Sequence, residues 1–203
     1  MTKFKFKPTG RTYFISDTHF GHRNIIDMCG RPYKSVGEMD ADLIASWNAI
    51  VAPGDTIWHL GDFGYGNREY LQGIFDRLNG FKHFVRGNHD KPWVNELGWE
   101  SVHDLVTISV DGEAVTLCHY PLREWPRYWS EGLHLYGHVH SNLPGSRHSY
   151  DVGVDSIGKF PMKLGDIKKK MALRPDVQFA EGQPVDRRRK RELAVEDEPA
   201  IKP

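Results

Sequence analysis

The sequence predicts an α/β fold on a mostly parallel sheet, from three observations. Strand and helix patterns alternate through the first half of the chain, as in a βαβαβ unit. The second half opens on two apolar runs around Asp111-Gly112, a hairpin turn signal. Five of the strands stop at a residue able to bind a metal, and the crevice of an open α/β sheet lies outside the carboxyl ends of its strands. With 203 residues the chain is long enough for one domain with a real core and too short for two comfortable ones.

Taken in order, residues 11–16 (RTYFIS) read as a short buried strand running into Asp17. Ser35 and Glu38 form an S-x-x-E capping pair. Val36, Met39, Leu43, Trp47 and Ile50 follow at helical spacing, which makes 36–51 an amphipathic helix. The APGD turn at 52–55 ends it, and TIWHL at 56–60 forms a second strand that stops at Gly61-Asp62. Asn67 caps a further helix with Leu71, Ile74, Phe75 and Leu78 on one face and Asn79-Gly80 as its stop. The third strand, FKHFV at 81–85, runs into Arg86-Gly87-Asn88-His89-Asp90. The hairpin arms are 105–110 and 114–118, the second ending at His119-Tyr120-Pro121. LHLY at 133–136 stops at Gly137-His138, a last strand is expected near 149–154, and 163–173 reads as one short helix. From 176 on the chain is charged and poor in apolar residues, so the domain is read as 1–175 and 176–203 as a flexible tail.

Composition excludes several classes. Apolar residues make up 39% and charged residues 27%, which rules out full disorder. No stretch approaches the ~18 apolar residues of a membrane span, and MTKFKFKPTG has no secretory h-region, so a cytoplasmic protein with no membrane partner is expected. The 27 basic and 27 acidic residues cancel, so net charge does not indicate a nucleic-acid partner, and the RRRKR run at 187–191 reads as part of a solvated tail. Cys29 and Cys118 form neither a disulfide framework nor a CxxC zinc motif. The 11 histidines are the one excess to follow.

They are placed rather than scattered. The strand ends carry Asp17-x-His19, Gly61-Asp62, Gly87-Asn88-His89-Asp90, His119 and Gly137-His138-x-His140. Carboxylate oxygens and imidazole nitrogens suit borderline divalent ions. Asp17, His19, Asp62, Asn88, His119, His138 and His140 exceed what one ion uses, whereas two ions sharing a bridging carboxylate would use them all. Glycines 61, 87 and 137 are expected to let the backbone turn sharply into the site.

In this order, D-x-H, G-D, G-N-H-D, H and G-H-x-H, the motifs resemble the calcineurin-like metallophosphoesterases over roughly residues 11 to 160. The longer opening, DTHFGHRN at 17–24, is similar to a small single-domain branch of bacteria and phages. The resemblance implies a four-layer α-β-β-α sandwich with two divalent metal ions, Mn, Fe, Zn or Ni. One ion would take Asp17, His19, Asp62 and His140, and the other Asp62, Asn88, His119 and His138. His89 would be no ligand: it would face the substrate and protonate the leaving group or stabilise the phosphorane, and Asp90 would orient His89. The implied reaction is hydrolysis of a small phosphate ester by attack of a metal-bound hydroxide. A phosphodiester is the first choice, because a small domain with no cap leaves a shallow site. A phosphomonoesterase or protein phosphatase is the alternative, a nuclease on long DNA the third, and a non-catalytic metal-bearing scaffold a fourth reading. His22, Asn24, Arg86 and Arg123 adjoin ligand positions and are candidates for substrate contact. Trp125 and Trp129 read as core by default. His59, His83, His103, His134 and His148 carry no motif and read as structural.

Overall fold

The computed structural model describes residues 6–175, so the tail expected at 176–203 lies outside the described residues. In chain order the elements are β1 (Thr12–Ile15), α1 (Arg23–Met28), α2 (Val36–Ile50), β2 (Thr56–His59), α3 (Arg68–Phe75), β3 (Phe81–Val85), β4 (Ser101–His103), β5 (Leu105–Val110), β6 (Glu113–Cys118), β7 (Leu133–Tyr136), β8 (Ser149–Asp151), α4 (Val154–Ile157), β9 (Met162–Lys163) and α5 (Leu164–Ala172). The caps act where the sequence places them. Ser35 Oγ accepts from the Glu38 amide at 3.2 Å, and Asn67 Oδ1 accepts from the Tyr70 amide at 2.8 Å. The Glu38 carboxylate accepts from the Lys34 amide, one residue before the cap. α3 ends at Phe75, short of the expected stop at Asn79-Gly80. Tertiary partners take over there: Lys82 donates to the Leu78 carbonyl at 2.7 Å, and the Asn79 amide donates to Asn48 at 2.9 Å.

The strands form two sheets. One has the order β4-β3-β2-β1-β9 and is parallel except for β9. The other has the order β5-β6-β7-β8, an antiparallel hairpin extended by two parallel strands. Asp111 (φ 53°) and Gly112 (φ 83°) both take the left-handed backbone that a two-residue hairpin turn needs.

Side-chain alternation builds two cores from the same strands. Tyr13, Ile15, Ile57 and Phe84 face α2 and α3, packing on Met39, Leu43, Trp47, Leu71, Ile74 and Phe75. Phe14, Trp58, Leu60 and Val85 face the other sheet, meeting Val106, Ile108, Val115, Leu117, Leu133 and Leu135, with Leu164, Ile167 and Met171 of α5 closing the seam. The outer face of the second sheet is covered by the 119–132 segment, whose helical content is one short turn, Tyr128–Ser130. Buried His134 holds that cover: its Nδ1 donates to the Thr116 carbonyl and its Nε2 accepts from the Leu122 amide. This is an α/β fold of two mixed sheets flanked by helices. Among the described residues no helix is long and apolar enough to cross a membrane.

Candidate metal centre

Three strand ends of the first sheet and two of the second meet at one edge. The turns are stitched by backbone: the Asp17 amide donates to the Gly61 carbonyl at 3.0 Å, the His19 amide to the Asp62 carbonyl at 3.0 Å, and the Gly137 amide to the His119 carbonyl at 2.9 Å. The His138 amide joins the two sheets by donating to the Asp17 carboxylate at 3.0 Å. Asp17, His19, Asp62, His138 and His140 all adopt positive φ, between 45° and 72°. Such a backbone in a residue other than glycine costs roughly 1–3 kcal/mol and concentrates at functional sites.

The glycines beside these ligands have two different purposes. Gly61 does take a positive φ of 96°. Gly87 and Gly137 do not serve as sharp turns; they allow close approach. A Cβ on Gly87 would overlap the Asp62 amide and carboxylate, and one on Gly137 would overlap Ser16 Oγ and the Asp17 carboxylate.

The ligand atoms converge. Asp62 Oδ1 accepts from the His89 amide at 2.9 Å, while Oδ2 lies 3.5 Å from His19 Nε2 and 3.5 Å from His119 Nε2. One carboxylate oxygen thus stands midway between two ligand sets. On one side are Asp17, His19 and His140; on the other, Asn88 Oδ1 lies 3.0 Å from His119 Nε2 and 2.9 Å from His138 Nδ1. His19 Nε2 is buried and without a hydrogen-bond partner, which a cation would supply. Asp17 and Asp62 are almost fully buried. Burial pushes Asp17 up to about 7, while the His119 hydrogen bond and charge outweigh burial at Asp62 and hold its carboxyl below the usual range. Burial drives His19 down to about 3, leaving a neutral imidazole with a lone pair to offer. His119 Nδ1 donates to the Leu60 carbonyl at 2.7 Å, which turns Nε2 toward Asp62. Buried carboxylates with imidazoles and an amide oxygen are the donor set of a divalent cation.

The remaining expected residues separate. His89 is exposed at the rim, its ring 5.8 Å from that of His19. Asp90 does not orient it: the Asp90 carboxylate accepts from the amides of Asp62 (2.8 Å), Phe63 (2.9 Å) and Gly87 (2.8 Å), locking the third strand end onto the second. His22 stands beside the ligands, its ring 5.5 Å from that of His19, and its Nδ1 is buried without a partner. Asn24 is exposed in the first turn of α1. Arg86 forms an exposed bidentate pair with Asp104 at 2.7 and 2.6 Å. Arg123 is exposed and lines a groove of about 500 Å³ with Leu122, Trp125, Tyr136 and Leu143. Trp125 is core, as expected, buried against His134.

Sequence reasoning misses two groups. Tyr65 and Tyr120 are exposed aromatics flanking the ligands, the first 4.9 Å from the His22 ring and the second 4.8 Å from the His138 ring. Arg31 and Asp155 form a buried ion pair at 2.8 Å that touches His140 and the Asp17 turn. For Tyr120 adjacency to His119 is a signal; Arg31 and Asp155 lie 124 residues apart and carry none.

Comparison with known proteins places this site. Residues 11–155 match the calcineurin-like phosphoesterase superfamily domain. The chain is 33% identical over 168 residues to the uncharacterized protein MJ1445 of Methanocaldococcus jannaschii, covering 78% of this chain and 90% of that one. It is 29% identical over 186 residues to the gene 66 protein of Mycobacterium phage L5, covering 73% of this chain and 88% of that protein. Among solved structures, the protein of unknown function AQ665 from Aquifex aeolicus superposes with a TM-score of 0.65 at 29% identity, over 78% of this chain and 98% of that one. With all five ligand-bearing strand ends inside the matched span, the chain belongs to the calcineurin-like phosphoesterase superfamily.

Proposed function

We propose that this protein hydrolyses phosphate esters, diesters first, with two divalent cations held at the sheet edge. The observation that carries this reading is Asp62 Oδ2, set 3.5 Å from an imidazole nitrogen on either side. One cation would be held by Asp17, His19, Asp62 and His140, and the other by Asp62, Asn88, His119 and His138. Bound there, the pair supplies Lewis acidity at the phosphoryl oxygens and brings a water's pKa near neutrality. The chain's own groups do the rest. The buried carboxylates balance the positive charge, and the Leu60 carbonyl aims His119. Exposed His89 stands at the rim to give a proton to the departing oxygen. His22, its ring 5.5 Å from that of His19, is a candidate to contact the substrate. Asn24 and Arg123 are candidates for its outer parts.

The donor set accepts Mn²⁺, Fe²⁺, Zn²⁺ or Ni²⁺. Diesters come first because Asn88 and His89 are exposed at an open rim, which leaves room for two substituents on phosphorus. The test is hydrolysis of bis-p-nitrophenyl phosphate by chelated protein reloaded with each metal, beside elemental analysis. Two cations per chain and metal-dependent turnover are expected. A panel of mono- and diesters separates a diesterase from a monoesterase or protein phosphatase. A loaded protein inert toward all of them, and toward duplex DNA, would leave only the scaffold reading.

A further inference from the structure

Arg31 follows α1 and is buried, with 8% of its surface exposed. Its guanidinium is fully engaged. Nε and one terminal nitrogen donate to the two Asp155 oxygens at 2.9 and 2.8 Å. The same terminal nitrogen donates to the Asp17 carbonyl at 2.8 Å, and the other to the Thr18 carbonyl at 2.9 Å. Asp155 Oδ2, already bound by Arg31, also accepts from His140 Nδ1 at 2.7 Å. One cation thus ties together the first ligand turn and, through Asp155, the last ligand histidine.

We infer that Arg31 and Asp155 are positioning residues that present the Nε2 lone pair of His140 to the cation shared with Asp17 and His19. This rests on the two-cation reading above. A neutral imidazole has one N–H and one lone pair. An ionised carboxylate only accepts, so the nitrogen facing Asp155 must carry the hydrogen. The lone pair is then on Nε2, which lies 4.0 Å from Asp17 Oδ1 with the His140 and His19 rings stacked at 5.2 Å. The bidentate pair with Arg31 holds the Asp155 carboxylate ionised. Arg31 also cancels that charge, so the support adds no net charge beneath the site. Its bonds to the Asp17 and Thr18 carbonyls brace a turn in which Asp17 is held at φ 56°. His119, by contrast, is aimed by the neutral Leu60 carbonyl. A carboxylate makes the imidazole it holds a stronger donor than a carbonyl does.

The test begins without any substitution. In metal-free protein carrying ¹⁵N-histidine, at a pH high enough for the ring to be neutral, long-range ¹H–¹⁵N correlation reads the tautomer of His140, assigned with His140→Gln. The Nδ1–H form is expected. Calorimetric titration with Mn²⁺ then compares the wild type with Asp155→Ala and Arg31→Lys. In Asp155→Ala one of two binding events should weaken about 10–100-fold while the other holds, the usual penalty for losing such a partner. Arg31→Lys should weaken the same event less. Cys29 Sγ lies 3.5 Å from His140 Nδ1, so Cys29→Ser is a control expected to change neither tautomer nor stoichiometry. A wild-type protein that binds two cations but holds His140 as Nε2–H overturns the positioning role alone, whether or not the variants fold. Unchanged affinity for both cations in a folded Asp155→Ala does the same. Loss of a cation in Cys29→Ser would move the ion to Cys29, His140 and Asp155 and overturn the assignment. A wild type that binds no divalent cation sinks the phosphoesterase reading together with this one.

Discussion

Asp17, His19, Asp62, His138 and His140 each hold a backbone that L-residues avoid, and each is a proposed ligand. The neighbouring glycines make that geometry possible by giving up volume. Gly137→Ala would drive a methyl into Ser16 and the Asp17 carboxylate. Overpacking of this kind costs roughly 1–3 kcal/mol, so urea unfolding should show a lower midpoint and Mn²⁺ titration a weaker affinity. His89 makes the opposite prediction. It is exposed and only its backbone amide touches a ligand, so His89→Ala should lower turnover about 10²–10⁴-fold with elemental analysis unchanged. A parallel loss of metal would make His89 a structural partner of the cations instead. At this scale the ligand types were legible as residues in the chain. The purpose of Asp90 was not, because its acceptors are backbone amides that only the folded turns bring within reach.

The elements divide by length. α2 and α3 announced themselves through caps and spacing, and the hairpin through Asp111-Gly112. α1, β4, α4 and β9 run only six, three, four and two residues. Over so few positions a period cannot be told from chance, and their pairing partners are distant. The 119–132 cover is a loop held by buried His134, by Trp125 donating to the Gly132 carbonyl and by Thr116 donating to the Pro126 carbonyl. Burial pushes His134 down to about 4. Its folded pKa lies below the unfolded value of about 6.5, so the stability it contributes is present above pH 6.5 and is lost as pH falls toward 4. In His134→Gln, urea midpoints should therefore fall less steeply between pH 6.5 and 4 than in wild type. Equal slopes would mean that the ring is not held neutral.

Across the whole molecule, two sheets share one edge. Chelation should lower the melting temperature and Mn²⁺ should restore it, each bound cation adding ~2.7 kcal/mol of stability when free Mn²⁺ is a hundredfold above its dissociation constant. Because burial pushes Asp17 up to about 7 without a cation, binding must displace that proton. Mn²⁺ affinity should then rise from pH 6 to 8, readable by calorimetry in buffers of different ionisation enthalpy. A flat profile would mean that Asp17 is already ionised.

The sequence by itself determined which side chains are candidates for the chemistry and that they stand at strand ends, because residue identity, turn residues and apolar runs are local properties of the chain. It also carried the family resemblance. Tertiary structure alone decided that Asp90 accepts from three backbone amides, that Arg86 pairs with Asp104, and that Arg31 and Asp155 meet beneath His140. Those facts depend on contacts that only the folded chain brings together, some between segments more than a hundred residues apart, and such contacts leave no periodicity or spacing to read.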